Sequence, residues 1–441
     1  MVGLVARPAG RFRPHAHPRT VRVLPAADLP RLRHGVVDRT GLEPGLAVAG
    51  GGLVGLLLRR PTLEGSALGS LARGRVRGLP CVRSVPVAEV SPLKIVAVRS
   101  AFPTHWYDQR TLTDTIVRLV GADARLAERI RSLHANTGID GRFLVLPLER
   151  YAELGDFTAA NAAWVEGALQ LGEAAVGRAL AAAGVTARDV DAIFFSTVTG
   201  LASPSIDARL VTRLGFRTDV KRMPLFGLGC VAGAAAVSRA VDYLRGHPRG
   251  VAVVLTVELC SLTLQPQDRS VANLISMGVF GDGAAAAVLV GAEHPLAGVA
   301  VEATRSVFYP ETEHVMGWDI GAHGFRIVLS AEVPAVARER VPVDVDAFLA
   351  DHGRRRADVR HWVAHPGGPK VLQGLQDGLG LRHEDLRCSW ECLARAGNLS
   401  SASVLMILER TLQSRGALPG DLGVLLAMGP GFCSEYLMLR W

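Results

Sequence analysis

Lysine is nearly missing from this chain: of its 49 basic residues only Lys94, Lys221 and Lys370 are lysines, and the rest are arginines. Charged residues of either sign are also sparse, at 20%, whereas hydrophobic residues reach 49%. A chain this apolar buries a large core, which excludes global disorder. The net charge of +8 is unevenly placed. Residues 1–90 hold fourteen arginines against five acids, a net of +9, so the remainder is close to neutral. A near-neutral globular part calls for no nucleic-acid partner. Long apolar runs are absent too. The longest, Gly45 to Leu58, falls short of the ~20 residues that a membrane span needs, and it lies too far from the N-terminus for an ordinary signal peptide. No membrane partner is therefore expected. The six cysteines (Cys81, Cys230, Cys260, Cys388, Cys392 and Cys433) form no short-spaced framework. That pattern excludes a disulfide scaffold and points to a reduced, cytoplasmic protein. Cys388 and Cys392 stand four apart without Cys or His partners nearby, so no metal site is expected.

What is present divides at Lys94. Residues 1–92 are rich in Arg, Pro and Gly and carry little periodicity, and they read as a poorly ordered extension. It is either a basic targeting arm or a solvated tail, or else translated sequence upstream of the true start. Ile95 to Val98 then opens a buried strand, and short apolar strands alternate with helices from there on, the pattern of a layered α/β fold. Gly167 to Ala183 and Cys230 to Leu244 read as helices. Ala192 to Thr197, Val251 to Val257 and Ala284 to Val290 read as strands.

The second half repeats the first. His361 to His365 echoes Ala192 to Ser196, an apolar strand opening into a loop. The helices that follow end in Leu214-Gly215-Phe216 and Leu379-Gly380-Leu381. A small-residue turn then feeds a small-residue helix, at Gly229-Cys230 in one half and Gly397-Asn398 in the other. Gly281-Asp282-Gly283 and Gly429-Pro430-Gly431 each turn the chain into a closing strand. The expected architecture is two pseudo-duplicated halves, 93–296 and 297–441, each aiming a helix N-terminus at a shared centre. Cys230 and Asn398 fall at equivalent positions around it.

The residue types at that centre suit thioester chemistry. A thiol at a helix N-terminus is stabilised as thiolate by the dipole and by free backbone N–H groups. The alternative for Cys230 is a buried, inert cysteine. His365 ends a strand and enters the loop Pro366-Gly367-Gly368-Pro369, where α/β sheets present catalytic groups. It can pair with a thiolate, or it can be a hydrogen-bonded structural histidine. Asn398 can cap its own helix, or offer a neutral N–H donor to a thioester carbonyl.

Four segments, around Gly227-Leu228-Gly229-Cys230, Ala364-His365-Pro366-Gly367-Gly368, Gly397-Asn398-Leu399-Ser400-Ser401 and Met428-Gly429-Pro430-Gly431, carry a resemblance in both order and spacing. Over residues 93–441 the chain resembles the type III polyketide synthases of bacterial type, the chalcone synthase-like family of the thiolase superfamily. The resemblance implies a thiolase-like layered α/β/α/β/α fold and a homodimer, with acyl-CoA and malonyl-CoA as substrates and no cofactor. It implies that Cys230 carries the acyl chain, while His365 and Asn398 promote decarboxylation of malonyl-CoA and stabilise the enolate. Phe280 matches a gatekeeper between CoA tunnel and cavity. A second gatekeeper Phe is replaced near Ile327, which argues against an aromatic starter and favours an aliphatic one giving an alkylpyrone or alkylresorcinol. A malonyl-only, naphthalene-forming enzyme is the other outcome. Cys260, Thr263 and Ser400 fall on cavity-lining positions, with Cys260 where plant members carry Thr, and it reads as a small buried filler. The terminal Gly429-Pro430-Gly431 keeps the turn of the family's loop but not its Phe. Arg129, Arg131 and Arg142 are the candidates for CoA phosphates, and the loop Gly200 to Ile206 is expected to reach a partner subunit's cavity. The competing readings are an initiating β-ketoacyl-acyl carrier protein synthase and, from another class, a non-catalytic acyl-binding scaffold.

Overall fold

The computed structural model describes residues 92–414 and 416–441, so all but the last residue of the 1–92 extension lies outside the described residues. In chain order the strands are β1 Leu93–Ala101, β2 His105–Asp108, β3 Gly141–Leu144, β4 Ala192–Thr197, β5 Lys221–Phe226, β6 Val251–Leu259, β7 Asp282–Val290, β8 Val299–Phe308, β9 Met316–Gly321, β10 Gly324–Leu329, β11 Val359–Ala364, β12 Leu422–Gly429 and β13 Cys433–Arg440. The helices are α1 Gln109–Leu119, α2 Ala124–Ala135, α3 Phe157–Ala183, α4 Ile206–Leu214, α5 Ala232–Arg245, α6 Val271–Val279, α7 Val333–Glu339, α8 Val341–Ala350, α9 Pro369–Leu379, α10 Arg387–Ala396 and α11 Ser401–Gln413.

The expected duplication is visible in the sheet. Nine strands pair in the order β11-β12-β13-β8-β1-β7-β6-β4-β5. In the first half β4 runs parallel to β6, and β6, β7 and β1 follow antiparallel. In the second half β11 runs parallel to β12, and β12, β13 and β8 follow antiparallel. The halves join where β1 pairs β8, with Leu93 opposite Val301. Helices α4 and α9 occupy matching places, and each ends on a left-handed glycine, Gly215 at φ 73° and Gly380 at φ 70°.

Three apolar clusters show the layering. Helices α5 and α11 lie at the centre and share one cluster with strands of both halves, including Val237, Val241, Val404 and Ile407, all fully buried. Helix α3 covers the outer face of the first half, and α8 and α9 cover the second. Five layers result, helix, sheet, helix, sheet and helix, which is the thiolase-like fold. Each fully buried Val, Leu or Ile on the central helices contributes about 1.5–3 kcal/mol of burial free energy, so this pair anchors the molecule. Small residues let it form. A side chain added at Gly233 of α5 would collide with the Ser401 carbonyl. Helix α3 begins ten residues before the expected Gly167, because Asp156 caps it by accepting from the Ala159 N–H. No described helix is long and apolar enough to cross a membrane.

Candidate active site

Cys230 sits in a single 3-10 turn, Gly229–Val231, that leads into α5. The turn is shaped by glycines. Gly229 has φ 54°, and a side chain there would strike the Pro430 ring at 2.7 Å. Gly429 presses on the same turn from β12, so closely that a side chain in its place would come within 2.6 Å of the Leu228 carbonyl and the Val231 nitrogen. The Gly429-Pro430-Gly431 loop therefore clamps the cysteine turn. The Cys230 Sγ lies 3.6 Å from the Ser400 Oγ. Burial pushes its thiol up to about 12, against the lowering effects of Ser400 and Asn398. The dipole argument from sequence predicted the opposite direction, and desolvation outweighs it in the folded chain.

His365 follows β11 and is held in the sheet by its backbone N–H, which donates to the Leu426 carbonyl at 2.9 Å. The side chain is 2% exposed, and neither ring nitrogen has a hydrogen-bond partner among the described residues. Burial alone pushes the imidazole down to about 3. It is a neutral ring whose two nitrogens have no protein partner among the described residues, which favours the catalytic reading over that of a hydrogen-bonded structural histidine.

Asn398 stands between Gly397, at φ 72°, and the strained Ser400, at φ 47°. It is not the N-cap of α11, a place that Ser400 takes. Its Oδ1 accepts from the Ser400 N–H at 2.8 Å and from the Ser403 hydroxyl at 3.4 Å. With the oxygen engaged in the turn, the amide nitrogen is left with only a 3.5 Å contact to the Gly367 carbonyl. The backbone ties this turn to the segment around Phe280: the Asn398 N–H donates to the Val279 carbonyl, and the Gly281 N–H donates to the Asn398 carbonyl.

Cys230, His365 and Asn398 line one cavity of about 530 Å³, together with Phe280, Gly367, Gly368 and Met428. On the other side of Phe280 the space narrows to about 30 Å³ around Cys230, Cys260, Trp318, Ile327, Ser400 and Pro430. It continues as a space of about 60 Å³ lined by Arg142, Tyr151, Cys260, Thr263, Trp318 and Ile327. Both inner spaces are much narrower than the outer cavity. Phe280 and Cys230 thus lie at the junction, and Cys260, Thr263, Ile327 and Ser400 all face the inner side. Burial pushes the Cys260 thiol well above its ordinary value, which fits an unreactive filler.

The arginines fall elsewhere. Arg129 is exposed on α2. Arg131 pairs with Asp114 at 3.3 Å and lines a separate groove. Arg142 is only 3% exposed and faces the inner space, so it is no surface site for CoA phosphates. The basic residue at the outer cavity is Lys370, on the first turn of α9. Sequence reasoning also passed over Trp318. It pairs across the β9–β10 hairpin with Ile327 and packs edge-on against Phe325.

Two duplicated halves that bring a buried thiol, a neutral imidazole and an asparagine amide to one cavity define a condensing enzyme of the thiolase-like class. The chain matches the chalcone and stilbene synthases over residues 84–294 with their N-terminal domain and over 300–441 with their C-terminal domain. It belongs to that family, the type III polyketide synthases, which are acyltransferases. It is 52% identical over 353 residues to a 1,3,6,8-tetrahydroxynaphthalene synthase of Streptomyces peucetius subsp. caesius, covering 79% of this chain and 93% of that one. A phloroglucinol synthase of Pseudomonas fluorescens is 32% identical, with 77% and 97% covered. The crystal structure of the 1,3,6,8-tetrahydroxynaphthalene synthase of Streptomyces coelicolor A3(2) superposes with a TM-score of 0.75 at 31% identity, over 79% of this chain and 99% of that chain.

Proposed function

We propose that the enzyme builds a polyhydroxylated aromatic from malonyl-CoA alone, using it both as starter and as extender on Cys230. The observation that carries the chemistry is the pair of unmet His365 nitrogens facing the cavity that Cys230 and Asn398 share. A buried polar atom without a partner is costly, and a thioester carbonyl in that cavity relieves it. Cys230 gives its proton to His365 as it attacks the starter thioester, so thiolate and imidazolium arise together and the site's net charge stays zero. Burial disfavours either charge alone, so the proton moves in step with the attack. CoA thiolate leaves with that proton. A second malonyl thioester then places its carbonyl oxygen on His365 and Asn398. Carbon dioxide departs, the two donors hold the enolate oxygen, and the enolate carbon attacks the Cys230 thioester. The cycle runs on CoA thioesters without a cofactor.

The choice of starter rests on the inner side. Trp318 and Phe280 leave little room there, and the relative at 52% identity is named for a product whose carbons all lie in its rings, with no side chain from a bulky starter. An aliphatic starter is the second reading. Ile327 favours it, as do Leu112, Ile116 and Leu148 along the far space. Products from malonyl-CoA, alone and with a panel of acyl-CoA starters, decide by mass spectrometry. Malonyl-only product in every reaction supports the first reading, and alkyl-bearing products in preference to it would overturn it. Lys370 at the outer mouth is the candidate for the CoA phosphates. We also infer a cytoplasmic homodimer. Leu201, 42% exposed after β4, and Phe226, 47% exposed on the edge strand β5, are apolar surface that a second subunit would cover.

A further inference from the structure

Two residues that line the cavities keep buried nitrogen atoms without a hydrogen-bond partner among the described residues: His365 and Arg142. The thioester chemistry accounts for the first and leaves the second. The Arg142 Nη1 donates to the Phe280 carbonyl at 2.5 Å and its Nε to the Gln109 Oε1 at 3.2 Å, while Nη2 is unmet. Burial lowers the guanidinium to about 10, so it remains charged at neutral pH. Its acidic neighbour Asp282 attracts it from a distance but accepts instead from the Val145 N–H at 2.7 Å and from Ser261, through the N–H at 2.8 Å and the hydroxyl at 2.5 Å. Much of the surrounding wall is apolar, with Leu112, Ile116, Leu144 and Leu148. An alkyl tail in this space would leave a buried cationic donor unmet. An anionic oxygen would satisfy it, and a guanidinium suits a carboxylate best.

We propose that Arg142 binds the carboxylate at the free end of the growing chain, the one brought in by a malonyl starter loaded intact. The proposal rests on the malonyl-only reading above. Loading is a thioester exchange: the Cys230 sulfur–carbonyl bond forms, the bond from that carbonyl to the CoA sulfur breaks, and the thiol proton ends on CoA. The starter keeps its carboxylate during extension, and the β-keto acid at that end loses it as carbon dioxide when the rings form. Each extension carries that end two carbons farther from Cys230, past Cys260, Trp318 and Ile327, which line both inner spaces, towards Arg142.

The test is starter competition in the full chain, with labelled malonyl-CoA as extender and acetyl-CoA or butyryl-CoA as uncharged rivals. Wild-type enzyme should prime with malonyl at least tenfold more often than with acetyl. In Arg142→Gln that preference should fall by about ten- to a hundredfold, as for a lost hydrogen bond to a charged group. The acetyl-to-butyryl ratio and malonyl-CoA decarboxylation should stay at wild-type values, which a collapsed cavity would not allow. Arg142→Met, which keeps the length of the stem without the charge, is read in the same way should the glutamine variant fail to fold. An unchanged malonyl preference in either folded variant overturns the proposal. So does wild-type enzyme that primes equally well with acetyl, a result that needs no variant. Wild-type enzyme that makes no polyketide from malonyl-CoA alone instead refutes the malonyl-only reading.

Discussion

On its outer side Phe280 faces a cavity of about 530 Å³, and on its inner side spaces of about 30 and 60 Å³. The two sides differ in charge behaviour as well as in size. At the outer side burial drives Cys230 up to about 12 and His365 down to about 3, so neither titrates near neutrality. Behind the inner wall burial also raises two carboxyls, but only to values near neutrality, Glu258 to about 7 and Asp282 to about 6. On the proposed mechanism the outer side holds a thioester and shares one proton between Cys230 and His365. The inner side is a tight mould with titratable groups behind it. Chemistry belongs to the first and the identity of the product to the second.

This division can be broken residue by residue. The largest effect is expected at the junction: Cys230→Ala should reduce polyketide formation by roughly 10⁴-fold or more, as measured by product mass spectrometry. Asn398→Ala should slow malonyl-CoA decarboxylation by about 10²–10³-fold, as for one lost oxyanion donor, with little change in which starter is taken. Trp318→Ala should do the reverse. It should raise the use of a butyryl or hexanoyl starter by about 10–200-fold, the range for methylene-sized discrimination in an apolar pocket, and leave decarboxylation within a few-fold of wild type. If Trp318→Ala slowed decarboxylation as much as Asn398→Ala, the two sides would not be separate.

The smallest effect concerns pH. The Glu258 carboxyl accepts from Ser401 at 2.5 Å and from Thr199 at 2.9 Å, and its proton is held more tightly in the folded chain than in the unfolded one. Its contribution to stability is therefore complete below its ordinary value of 4.5 and is lost as the pH rises through about 7. His365 and His134, lowered to about 3 and about 4 from 6.5, act oppositely, and their stability cost appears as the pH falls below 6.5. Between pH 7 and 8, where the unfolded histidines have mostly lost their protons, the Glu258 slope is the largest of these three. Thermal melts of Glu258→Gln should lose less stability over that range than wild type, and His365→Gln should keep the wild-type slope.

Much of the frame was legible because it rests on local signals. Apolar runs such as Ala192–Thr197, which coincides with β4, and glycines that require positive φ, such as Gly215, Gly229 and Gly380, mark the same places in both halves. That repetition paired Cys230 with Asn398. What stayed illegible depends on packing across distant segments. Trp318 reaches the inner space only because the β9–β10 hairpin lays it opposite Ile327. Arg142 was a CoA-phosphate candidate through the family resemblance, yet the backbones of Gly281 and Gly397 leave a slot in which its stem is buried. The direction of the Cys230 shift was also hidden, since a helix terminus is visible in sequence and desolvation is not. Lys370 directly follows the Pro366–Pro369 loop in sequence, but its place at the outer mouth depends on how α9 meets the loop at Gly367.

The central claim is that Cys230 carries a chain built from malonyl-CoA alone. The most direct measurement supplies uniformly carbon-13-labelled malonyl-CoA as the only thioester, with no carrier protein. Intact-mass spectra of the enzyme and mass spectra of the product are then recorded. The account predicts labelled acyl adducts that vanish in Cys230→Ala, and an aromatic product in which every carbon is labelled. An unmodified enzyme that releases no product until a second acyl-CoA or an acyl carrier protein is added would contradict it.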